Sequence, residues 1–173
     1  MQKVNTFILF SFFSIFLFTS CEQIEKTKDA VSTAEEYAQK ILDGDIGNKE
    51  TLAFLEGLTS QDSTQRIKAF DYYLKIKELS NGTLGELLSG HIKSYFLERP
   101  QEFLKLFKLL SDEQQSKIID DLSYEFYTSG LEGKNDILSF INKVRQNCNN
   151  CDISLINTID QEIKDRFDEI HTE

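Results

Sequence analysis

The chain has 173 residues, 29 of them acidic against 19 basic, and a net charge of −10 at neutral pH. That imbalance, with no run of Lys or Arg anywhere, excludes a surface built for the phosphates of nucleic acid. Trp is absent and Pro occurs once, while Leu, Ile, Phe, Lys and Glu dominate, a composition that suits helices rather than sheets.

The first element is residues 1–21. A short polar head carries Lys3, an apolar run occupies residues 7–18, and Thr19, Ser20 and Cys21 follow. A charged head, a short apolar stretch and small closing residues make the pattern of an export signal. The run rises about 18 Å as a helix at about 1.5 Å per residue, which falls short of the roughly 30 Å hydrocarbon core that a spanning helix must cross.

Phe18-Thr19-Ser20-Cys21 resembles the lipobox of bacterial lipoproteins, an apolar residue and two small ones before an obligatory Cys, with Phe where Leu is commonest. The resemblance covers these first residues only. It implies a diacylglyceryl group on the Cys21 thiol, removal of residues 1–20, and an acylated new amino terminus at the head of residues 21–173. Each buried methylene of such chains contributes about 0.8 kcal/mol, and two or more chains anchor stably. Glu22 stands where Asp marks inner-membrane retention in one sorting system, so the resemblance places the protein in the cell envelope at the outer rather than the inner membrane. Cleavage leaves 153 residues, enough for one domain with a core and too few for two.

Along residues 22–43, Ile24, Val31, Ala34, Ala38, Ile41 and Leu42 recur at helical spacing, and Gly44 and Gly47 end that helix. A short helix is predicted over residues 48–58, with Asn48 as N-cap and Leu52, Leu55 and Leu58 inward. Ser60 or Asp62 caps the next, whose Ile67, Phe70, Leu74 and Leu79 point inward. After the Asn81-Gly82 turn, Thr83 caps a helix carrying Leu84, Leu87, Leu88, Ile92, Tyr95 and Phe96. Pro100 suits the first turn of a helix lined by Phe103, Leu104, Phe107 and Leu110. Ser111 with Gln114 forms a capping box before Ile118, Ile119, Leu122 and Phe126. Gly130 and Gly133 break that helix, and Asn135 starts another through Ile137, Leu138, Ile141 and Val144. The last opens near Asp152 and carries Leu155, Ile156, Ile159, Ile163, Phe167 and Ile170.

No stretch alternates at period two, so the expected fold is all-α. Seven or eight amphipathic helices form antiparallel hairpins, arranged as a short α-solenoid or an irregular bundle. Residues 58–67 echo residues 109–118, which hints at a repeat. The hairpins are similar to those of HEAT-like proteins, although the chain does not meet that consensus closely.

Chemistry-bearing residues are few. With Cys21 acylated, Cys148 and Cys151 remain as an even pair, and in an oxidising compartment they are a candidate disulfide. A redox role for this CxxC would want an α/β context, and two Cys alone do not close a zinc site. His91 and His171 lack a second ligand at i±4. Asp120 and Asp121 are adjacent on a helix, diverge, and are expected in solvent. Asp43 and Asp45 supply too few oxygens for calcium. With no nucleophile elbow, Walker loop or zincin motif, no catalytic residue, metal or cofactor is expected, and a hydrolase with an unrecognised site ranks last.

Tyr73 and Tyr127 fall off the main apolar stripes and are expected on an exposed partner surface. The reading is therefore a lipid-anchored, non-catalytic interaction or scaffold module. Its partners are the membrane, through the anchor, and an envelope protein. The alternative is a small-molecule or lipid carrier with an interhelical cavity.

Overall fold

The computed structural model describes residues 53–79, 85–127 and 132–171. A 3-10 turn, Glu56–Thr59, is followed by six α-helices: α1 Ser63–Leu79, α2 Gly85–Glu98, α3 Pro100–Phe107, α4 Asp112–Tyr127, α5 Gly133–Gln146 and α6 Ile153–His171. The protein is all-α, with no strand among the described residues. The expected helix over residues 22–43, Cys21, the Asp43 and Asp45 turn and the Thr83 cap lie outside the described residues.

Local polar chemistry sets where the helices begin. Asp62 accepts the Thr64 N–H at 2.8 Å and thereby caps α1. Pro100 occupies the first turn of α3, where its missing N–H costs nothing. Ser111 and Gln114 bond reciprocally, each backbone N–H to the other's side-chain oxygen at 3.3 Å, and open α4 as a capping box. Asp152 accepts the Leu155 N–H at 3.1 Å at the head of α6.

Helix α2 lies at the centre, against the 3-10 turn, α3, α4 and α5, while α6 packs on α4 and α5. Arg145 of α5 bonds Asn157 of α6 and Lys134 bonds Asp168, so this pair is antiparallel. By contrast, Arg166 of α6 bonds Ser116 of α4 while the His171 ring lies 5.5 Å from that of Tyr127, so α4 and α6 run in one direction and end together. Between these layers, the rings of Phe96 and Phe103 stack at 4.3 Å, and Phe140 meets Phe96 at 5.8 Å and Phe126 at 5.6 Å. Such ring pairs add about 0.5–1.5 kcal/mol each beyond the area they bury.

Several expectations are corrected. Tyr73 is fully buried, with 0 % exposure, and belongs to no surface. Ile67, expected inward, is exposed, because the buried stripe of α1 runs through Arg66, Phe70, Tyr73 and Ile76. Two of those side chains carry polar tips that a purely aliphatic reading sends outward. Leu138 and Ile170 are likewise exposed, and Phe140 takes the core position on α5. Asp121, expected in solvent, is 2 % exposed. Gly133 does not break a helix but is the first residue of α5, two residues before the expected Asn135 start. The echo between residues 58–67 and 109–118 aligns the start of α1 with that of α4, an odd helix with an even one. Ser111 caps α4 directly, whereas its counterpart Ser60 accepts the Asp62 N–H and leaves the capping of α1 to Asp62.

Candidate functional site

Two buried polar clusters hold α1 onto its neighbours. Tyr73 donates to Asp121 Oδ2 at 2.6 Å, and Lys77 closes on the other oxygen of the same carboxylate. Burial pushes the Asp121 carboxyl above its ordinary range, more than the Lys77 and Tyr73 bonds pull it down. The Tyr73 hydroxyl is raised well above its usual value by burial and by the Asp121 charge. In the second cluster, Arg66 donates to Glu102 through Nε at 2.7 Å and Nη2 at 2.6 Å. Its Nη1 reaches the carbonyls of Ser60 and Gln61 at 2.7 and 3.0 Å. Tyr95 donates to Glu102 Oε1 at 2.8 Å. The Arg66 bond holds the Glu102 carboxyl below its usual value. In both clusters the polar groups answer one another across helices, so the work they do is to fix helix register.

Cys148 and Cys151 are paired in the α5–α6 turn with Cα atoms 5.7 Å apart, near the usual disulfide separation of about 5.5–6 Å. Asn147 donates to the Leu97 carbonyl at 2.8 Å and Lys108 to Asp152 at 2.6 Å, so the turn is also tied to the ends of α2 and α3. Among the described residues, no group of three or more His, Cys, Asp or Glu side chains is placed to hold a metal ion. His171 instead stacks on Phe167 at 4.1 Å, with Nδ1 2.8 Å from that residue's carbonyl.

Among the exposed apolar side chains, which include Leu109, Leu138 and Ile153, two aromatic ones lie together. Tyr124 and Tyr127, three residues apart on α4, are 38 % and 44 % exposed, and their rings stack at 6.3 Å with planes 24° apart. The Tyr127 ring in turn lies 5.5 Å from that of His171 on α6. The parallel course of α4 and α6 brings the three rings together as one ridge at the C-terminal ends of both helices. Of the two tyrosines expected on a surface, Tyr127 is there, and Tyr73 sits in the core, bonded to Asp121 of α4. Sequence reasoning did not single out Tyr124 or place His171 beside Tyr127. The i, i+3 spacing of Tyr124 and Tyr127, away from the Ile118, Leu122 and Phe126 stripe, was the signal for the first. Nothing in the sequence signalled the second, because the α4–α6 neighbourhood is tertiary.

Fold and site together define an all-helical protein with internal ionic ties and an exposed aromatic ridge. No protein-family model, curated protein or solved structure matches the chain. Among the described residues, no helix is long and apolar enough to cross a membrane.

Proposed function

We propose that this protein is a lipid-anchored, all-helical interaction or scaffold module of the bacterial cell envelope, held at the outer membrane through Cys21, and that it acts by docking rather than by catalysis. The anchoring half of this reading is supported by the order of residues 1–21: Lys3, an apolar run and then Thr19-Ser20-Cys21. Confinement to a bilayer raises the effective concentration of the domain toward any partner held on the same surface. The docking half rests on the ridge of Tyr124, Tyr127 and His171. Rigid aromatic side chains on helices offer contact area at little entropic cost, and Tyr combines an apolar ring with a polar tip suited to partner surfaces.

The test is crosslinking in the native envelope, comparing the wild type with the double substitution Tyr124→Ala and Tyr127→Ala. Loss of a specific adduct from the variant, with its helical content and membrane fraction unchanged, supports docking at the ridge. An identical adduct pattern would place the interaction elsewhere.

A further inference from the structure

Charge is segregated among the helices. Helix α4 carries five acidic residues and one basic, and α6 five acidic and two basic, a net of −7 between two adjacent helices. Helices α1 and α5 are each net positive, with four basic against two acidic residues and three against one. Within the acidic pair, four carboxylates are answered from neighbouring helices: Asp121 by Lys77, Glu125 by Lys93, Asp160 by Arg145 and Asp168 by Lys134. Asp120, Glu162, Asp165 and Glu169 are exposed. Arg166 serves both Asp120 and Glu162, the latter at 3.9 Å.

The ends of these helices add to that field. Because α4 and α6 run in one direction, the negative poles of both helix dipoles lie at the ridge. The last turn of α5 holds Lys143 and Arg145 against its own pole, whereas the last turn of α4 holds no basic residue and that of α6 holds only His171. Aromatic faces are themselves negative, and a guanidinium or ammonium within about 6 Å of a ring centroid is attracted to it. Lys93 already sits this way over Phe126 on the inner side of α4, at 4.6 Å. Aromatic faces, exposed carboxylates and two helix C-termini therefore leave this place net acidic, even with the start of α5 and its Lys134, paired to Asp168, beside it.

We propose that the ridge formed by Tyr124, Tyr127 and His171 receives a Lys- or Arg-rich segment of a partner protein, with the cationic side chains lying over the tyrosine rings and the flanking carboxylates steering them in. This names the partner chemistry for the docking reading above and rests on it. An anionic bilayer is disfavoured at this face by the same charges.

The experiment titrates a fluorescein-labelled Arg-Ser repeat peptide, with a Glu-Ser repeat as control, into the full-length acylated protein in non-ionic detergent at physiological salt, reading anisotropy. The Arg-Ser peptide should bind and the Glu-Ser peptide should not. The Tyr124→Ala, Tyr127→Ala variant keeps every charge and should bind about 5- to 30-fold more weakly. Tyr124→Phe with Tyr127→Phe keeps both rings and should stay within about twofold of the wild type. Tyr127→Arg places a cation on the ridge and should abolish binding; it serves as the second probe should the double Ala variant melt early. Unchanged affinity in the Ala variant or in Tyr127→Arg overturns the proposal, since binding then follows bulk charge alone. A wild-type dimer that the Ala variant dissolves also overturns it, assigning the ridge to a second copy of the chain. If the peptide fails to bind while envelope crosslinking still depends on the two tyrosines, docking stands and only the basic partner falls. If neither depends on them, the docking reading falls as well.

Discussion

Tyr73 and Tyr127 carry the same side chain and lie in opposite environments. Tyr73 reaches across from α1 to a buried carboxylate, so its ring fills the core and its hydroxyl answers Asp121. Removing only that hydroxyl, as Tyr73→Phe, leaves Asp121 with Lys77 alone and is expected to cost about 1–2 kcal/mol in urea unfolding. Tyr127→Ala should change the same midpoint by about 0.5 kcal/mol or less, as exposed positions do. Equal losses at the two positions would contradict this assignment. Glu102 gives a pH-dependent counterpart. Its carboxyl is held low in the folded protein by Arg66, so the stability it contributes is complete above the unfolded value of about 4.3 and is lost as pH falls through the lower folded value. Glu102→Gln should therefore be less stable at neutral pH by about 1.5–3 kcal/mol, and the gap should close in acid. Urea midpoints on both sides of that window check the sign.

At the scale of the helix, two glycines separate propensity from packing. A Cβ on Gly90, within α2, would meet Glu125 Oε1 at 3.6 Å, an ordinary contact. Gly90→Ala should then stabilise by about 0.5–1 kcal/mol, the difference in helix propensity. At Gly133 the same atom would enter the Phe167 ring and come within 2.8 Å of the Phe126 carbonyl oxygen. Gly133→Ala should cost about 1–3 kcal/mol, because the backbone of α4 cannot move aside as a flexible side chain would. Thermal melts of the two variants should shift in opposite directions. Helix starts were well marked in the sequence: Asp62, Pro100, the Ser111–Gln114 box and Asp152 each act within a few residues of themselves. The inward face of α1 was not, because Arg66 and Tyr73 are buried only by virtue of Glu102 and Asp121, 36 and 48 residues away.

Over the whole molecule, the acidic excess collects on α4 and α6 while α1 and α5 are positive, and Lys77, Lys93, Lys134 and Arg145 of the neighbouring helices answer four of those carboxylates. If the chain is moored through Cys21, wild-type protein should enter the detergent phase on phase separation and Cys21→Ser should stay in the aqueous phase at a larger apparent mass, its signal retained. Unchanged partitioning and size would remove the anchor from the account.

The sequence by itself determined the all-helical class and most helix starts, because periodicity and capping are local and read within one or two turns. It also showed most of the core apolar positions on α2, α3, α4 and α6. Only the tertiary structure decided which polar groups are buried and which aromatic rings are exposed. Those outcomes depend on which helices become neighbours: α1 against α4 turns Tyr73 inward, and α6 running beside α4 sets His171 against Tyr127.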